Sequence, residues 1–197
     1  MHRGVLAMEL LDMKGYKTVC AYPGTGPIVA AMQRGEVTFV VSTDASFMGG
    51  GAYAEMVEKG IAVPIWQSGL ITSDGKIQRS KTLKREIPTF EEVYRQVHGK
   101  SPSGVQWEAY RATALGLSML SRTYIVPPGT SRDRLNVFRQ AMSRLTEDRA
   151  FVTDWERVFG QELAPTVVPA ELAEQLKNDF MKPAPWQEYL RNFVKQK

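Results

Sequence analysis

The sequence holds one cysteine, Cys20, and two histidines, His2 and His98. A lone cysteine excludes an internal disulfide, and so few thiol and imidazole groups cannot form a cluster at zinc-ligand spacing. Nowhere do about 18 to 20 apolar residues run uninterrupted, as a membrane-spanning helix requires. Even the run Ala112 to Leu120 ends at Ser121 and Arg122. Neither sign of charge forms a block: 25 basic residues interleave with 21 acidic ones for a net charge of +4 and a pI near 9.2. That balance mildly favours an anionic ligand. There is no basic stripe with interleaved aromatics, no RNP-like strand and no finger spacing, so nucleic acid is not expected as a partner. The short apolar run Val5 to Leu11 contains Glu9 and has no small-residue cleavage pattern behind it. No export signal is therefore expected in the residues as they stand. Internal repeats and low-complexity segments are absent.

What is present suffices for a real core: 197 residues, 43% of them hydrophobic, in a soluble globular chain. The first half alternates between elements. Val5 to Met13 has helical spacing and stops at Gly15. Lys17 to Tyr22 is β-prone and leads into Pro23-Gly24-Thr25-Gly26, and Pro27 to Arg34 reads as a short helix stopped by Gly35. Glu36 to Val41 is a second β-prone run, Tyr53 to Lys59 a helix, and Ile61 to Trp66 a third strand. Strand, helix, strand, helix, strand is the order that parallel-type βαβ units produce, so the expected fold class is α/β. A polar excursion follows, with a turn at Ser73-Asp74-Gly75 and the cations Lys81, Lys84 and Arg85. Thr89-Phe90-Glu91-Glu92 fits a capping box, which makes Phe90 to Val97 a helix that Gly99 ends. Val105 to Ser118 is another helix, and Arg122 to Val126 a β-like run. From Thr130 the chain turns mainly helical. Leu135, Phe138, Met142 and Leu145, then Val152, Trp155 and Phe159, then Leu172, Leu176 and Phe180 recur at helical spacing and read as core-facing stripes. A last amphipathic helix, Trp186 to Val194, follows Pro183-Ala184-Pro185.

The candidate chemistry lies at the ends of the expected strands. The loop Tyr22 to Gly26 joins a strand to a helix N-terminus, where free N–H groups and the positive end of the helix dipole suit a carboxylate or phosphate. Gly24 and Gly26 also fit a tight turn that needs only backbone freedom. No Walker motif is present, since no Lys-Ser/Thr pair follows Gly26. Ser42, Thr43 and Asp44 stand at the equivalent place after the second strand, either lining the same cleft or capping a helix. After the third strand, Trp66 offers an apolar wall or a core residue, and Gln67 an amide for the cleft. Catalytic signals are sparse: Cys20 reads as a buried thiol, His98 as a helix-end residue, and Glu91 and Glu92 diverge on their helix. No enzyme and no cofactor is expected.

Taken in order, "VCAYPGTGPIVAAMQRGEV", "GIAVPIWQSG", "IPTFEEV", "RTYIVPPGTSRDRLNVFRQAM" and "EDRAFVTDWERVFG" resemble the substrate-binding proteins of tripartite tricarboxylate transporters, the TctC/Bug family. The resemblance spans about Val5 to Phe180. It implies a periplasmic-binding-protein-like (type II) fold that closes over a small organic carboxylate and delivers it to membrane permease subunits. It further implies a periplasmic location and binding without turnover. Residues 1–118 would form the second lobe, and 119–197 a mainly helical return segment of an incomplete first lobe. Tyr22, Gly24, Thr25 and Gly26 would give backbone donors to a ligand carboxylate. Ser42, Thr43, Asp44 and Gln67 would lie near the cleft. The family's usual Asp after Gly-Glu-Val is Thr38 here. The front of lobe one, with its own Gly-rich loop, has no counterpart among these residues, so the chain is expected to be a C-terminal portion. Exposed apolar surface is then expected, and with it self-association or a non-binding remnant that serves as an interaction module.

Overall fold

A computed structural model describes residues 2–47, 51–71, 76–80, 86–119, 124–159, 174, 178 and 180–196 of the 197. Among these the protein is mixed but mostly helical. In chain order the elements are α1 (His2–Leu10), α2 (Thr25–Gln33), α3 (Asp44–Phe47), α4 (Ala54–Glu58), β1 (Leu70–Ile71), β2 (Ile77–Gln78), α5 (Phe90–His98), α6 (Val105–Met119), α7 (Arg132–Leu145), α8 (Arg149–Phe159) and α9 (Pro185–Gln196).

Local chemistry accounts for the best-formed helix ends. Thr89 caps α5: its hydroxyl accepts from Glu92 N at 3.2 Å, and the Glu92 carboxylate accepts from Thr89 N at 2.6 Å. Two N–H groups that the helix cannot satisfy are thereby paired. Gly99 closes the same helix at φ +69°, a left-handed geometry that a side chain resists. Pro27 sits in the first turn of α2, where a missing N–H removes no helical bond.

The core forms where α1 and α9 pack on α6. Leu6 and Ala7 of α1 and Ala109 of α6 are fully buried, Tyr110 is 1% exposed, and Phe193 of α9 joins the same cluster. Phe90 enters from α5, with its ring centroid 4.4 Å from that of Tyr110 and 5.4 Å from that of Trp66. Trp66 in turn meets Phe39 at 5.3 Å, which draws the loop before α3 onto the core. Thus α9, from the segment 119–197 expected to complete another lobe, shares a core with helices of 1–118.

The expected parallel sheet is not formed among the described residues. Lys17 to Tyr22, Glu36 to Val41 and Ile61 to Trp66 carry no strand ladder. The pairing present is the antiparallel β1–β2 hairpin, with Leu70 opposite Gln78, and one parallel bridge between Gln67 and Thr89. The physical reason is that β-propensity measures fit to a pleated, partly covered surface, which needs neighbouring strands. Without them Val19, Ile61, Val63 and Ile65 stay open to solvent. The stripe on α7 likewise faces no described core, since none of its residues is buried and Phe138 is 62% exposed. Ser73, Asp74, Gly75, Lys81, Lys84, Arg85, Leu172 and Leu176 lie outside the described residues, as does the start of the run Arg122 to Val126.

Gly69 shows how tightly the hairpin is held. At φ +74°, a Cβ placed there would stand 2.6 Å from Gln78 O and 2.7 Å from Ile77 Cγ2. Gly69→Ala is expected to cost about 2–4 kcal/mol in urea denaturation, combining left-handed strain with overpacking. Gly99→Ala, at φ +69° with nothing within 4 Å, should cost only about 1–2 kcal/mol from strain alone.

Candidate functional site

The loop Tyr22 to Gly26 stands in the open. Gly24, Thr25 and Gly26 are exposed and Tyr22 is half-buried. Nothing lies within 4 Å of a Cβ placed on Gly24 or Gly26. Gly24 precedes α2 in an extended conformation and supplies no side-chain cap. The first N–H groups of a helix have no carbonyl partner within it, so Thr25 and Gly26 present donors outward beside the positive end of the helix dipole. At the far end of α2, Arg34 forks onto Glu36 at 2.6 and 2.9 Å.

Ser42, Thr43 and Asp44 open α3. The Ser42 and Thr43 hydroxyls both meet Ser46 Oγ, at 3.0 and 3.1 Å, and Thr43 O accepts from Ser46 N at 2.9 Å. These contacts are those of a helix start. Gln67 is buried and both ends of its amide are engaged within the protein: Nε2 donates to Ile87 O at 2.8 Å, and Oε1 accepts from Ser80 N at 2.7 Å. A ligand would have to displace those bonds. Among the described residues no hydrogen bond or ion pair joins residues 22–26 to 42–44 or to Gln67.

Around Arg3, at the start of α1, the structure gathers a different group. A Cβ on Gly4 would stand 2.9 Å from Val41 Cγ2, so α1 begins hard against the end of the Glu36–Val41 run. Arg3 Nη1 donates to Ser68 Oγ at 3.1 Å, just beyond Trp66 and Gln67. The guanidinium charge also reaches Asp44 and the Tyr110 hydroxyl. The ends of two expected strands and two helices therefore meet at one polar cluster. Burial pushes the Tyr110 phenol up to about 12; Ser68 and Arg3 oppose that rise. Crowding by the protein raises the Asp44 carboxyl above its ordinary value, against the pull of Arg3. Asp44 is nonetheless exposed. The place of Asp44 after a β-prone run makes it legible in the sequence as a candidate. Arg3 and Tyr110 are not, and the one sequence signal that points toward them is an arginine opening an apolar helix.

A separate cavity of about 300 Å³ is bordered by Lys76, Ile77, Glu91, Trp107 and Arg111. Cys20, expected buried in a strand, is exposed because that strand has no neighbours. The His98 ring holds Leu10 O at 3.0 Å and joins the C-terminal ends of α5 and α1, a structural position. Among the described residues no three His, Cys, Asp or Glu side chains could share a metal ion. No described helix is long and apolar enough to cross a membrane. Compared with known proteins, the chain matches no family model, no curated protein and no solved structure.

The raised Asp44 value has a signed consequence. Above the folded-state pKa the folded protein carries a charge that the unfolded chain carries more easily, so Asp44 costs stability there. Below the ordinary aspartate value both states are protonated and the cost vanishes. Asp44→Asn is expected to stabilise by on the order of 0.5 kcal/mol at pH 7, a small figure because solvent screens the open face. No gain is expected near pH 3. Urea denaturation at the two pH values checks both.

Proposed function

We propose that the protein is the solute-binding component of a tripartite tricarboxylate-type transporter. On this reading it works in the periplasm and passes a small organic carboxylate to membrane permease subunits. The observation that carries the reading is the uncapped start of α2: Thr25 and Gly26 offer backbone donors beside an exposed, glycine-lined loop. A helix N-terminus of this kind stabilises a carboxylate by hydrogen bonds and by its dipole, without chemistry on the ligand. The ordered sequence resemblance supports the same reading and implies a type II binding-protein fold. Tyr22 and Gly24 to Gly26 hold the ligand; Ser42, Thr43 and Asp44 lie along the cleft. The ligand is bound and released rather than converted.

A second reading, an interaction module of the same fold, is favoured by one observation. Along 61–66 the alternation of a strand persists, with Ile61, Val63 and Ile65 exposed and Ala62, Pro64 and Trp66 half-buried. An apolar row of that kind is a surface for another chain.

Isothermal titration of the folded protein with a panel of di- and tricarboxylates separates the two. The first reading expects saturable binding that weakens at least tenfold in Thr25→Pro, which removes one N–H and the hydroxyl at a position where proline suits a helix. Circular dichroism should be unchanged. Silence across the panel from a folded wild-type protein sinks the first reading. Concentration-dependent self-association in sedimentation, abolished by Val63→Lys, would establish the second.

A further inference from the structure

The cavity beside the hairpin is walled by three parts of the fold. Lys76 and Ile77 come from β2 and the residue before it, Glu91 from the first turn of α5, and Trp107 and Arg111 from α6. Spaced four apart, Trp107 and Arg111 share one face of their helix. The capping box fixes the turn that carries Glu91, and the pairing of Ile77 with Ile71 fixes the hairpin side. Trp107 is held firmly: it is 6% exposed, and its ring lies against those of Tyr110 at 5.4 Å and Phe90 at 6.3 Å. Ile77, Glu91 and Arg111 are half-buried, and Lys76 stands open to solvent. The deepest wall is therefore aromatic and the outermost group a cation.

The lining defines the ligand it would take. A volume of about 300 Å³ is at the lower end for a small-molecule pocket and suits one ring with one substituent. Two cations, Lys76 and Arg111, border it with one carboxylate, Glu91, which already accepts from Arg95 Nη2 at 2.9 Å. Arg111 Nη1 stands 3.5 Å from Glu108 Oε1, a group outside the lining, and a guanidinium has five N–H groups to give. One negative charge is thus favoured, and a second is opposed by Glu91. Trp107 and Ile77 add apolar surface that suits a flat ring.

We propose that this cavity binds an aromatic monocarboxylate, with its ring against Trp107 and Ile77 and its carboxylate toward Arg111 and Lys76. Glu91 disfavours dianions of the same shape. The site is distinct from the α2 loop and does not depend on the transporter reading.

Sodium benzoate is the probe, titrated calorimetrically against the full chain at constant ionic strength and followed in parallel by saturation-transfer NMR. Saturable binding is expected, about tenfold tighter than for acetate, which lacks the ring, or benzamide, which lacks the charge. Isophthalate, with a second carboxylate, should bind more weakly than benzoate, and Glu91→Gln should narrow that gap. Lys76→Glu alters an exposed side chain, so circular dichroism should be unchanged while benzoate weakens about tenfold. Arg111→Gln should weaken it several-fold, and Thr25→Pro should leave it unchanged. A folded wild-type protein with no saturable benzoate binding overturns the proposal. Equal affinity in wild type and Lys76→Glu, or for benzoate and benzamide, overturns it too. Loss of benzoate binding in Thr25→Pro with retention in Lys76→Glu would assign the effect to the α2 loop and overturn it as well.

Discussion

Gln67 ties together three stretches of chain that would otherwise have no regular structure in common. Its backbone N–H donates to Pro88 O at 2.8 Å and its carbonyl accepts from Phe90 N at 2.9 Å. Its amide bonds Ile87 O and Ser80 N. Four backbone groups beside the core are satisfied by one residue, and each would be expensive if left unpaired. Because Gln67 fixes residues 87–90, Thr89 is placed to cap α5 and Phe90 is delivered to Tyr110 and Trp66. Because it fixes its own neighbour, Ser68 stands where Arg3 reaches it. The aromatic core and the polar cluster thus share one anchor.

The elements that sequence reasoning places well are those whose signals are local. The capping box at Thr89 and Glu92, the stop at Gly99 and the helix from Val105 each depend on residues within a turn or two, and each is present. What fails is non-local. Whether Ile61–Trp66 becomes a strand depends on partners elsewhere in the chain, and its alternation is the same with or without them. Gln67 illustrates the same limit at the candidate site. An amide after a β-prone run reads equally well as a ligand donor or a structural clamp, and only Ile87 O and Ser80 N, which engage its two ends, decide. Asp44 is found from its position after such a run; Arg3 and Tyr110, 41 and 66 residues away, join it through packing that no spacing rule records.

The Arg3 cluster also explains why α1 is bound at both ends. At its C-terminal end the His98 ring holds Leu10 O. At its N-terminal end Arg3 bonds Ser68 while Gly4 lies against Val41. Between them Leu6 and Ala7 are fully buried. The helix is short, so little of its stability is intrinsic; it persists because its middle is buried and its ends are tied to different segments. A change in charge at Asp44 or Arg3 therefore acts on the seat of α1.

Two kinds of surface remain outside this compact part, and they obey opposite rules. The loop Tyr22 to Gly26 exposes polar backbone, which water satisfies at little cost, so its openness requires no partner and permits a ligand. The row Ile61, Val63 and Ile65 and the Phe138 face of α7 expose apolar area, which water penalises at roughly 25 cal/mol per Å². An exposed donor is a neutral feature that function can use; an exposed apolar row is a standing cost that association removes.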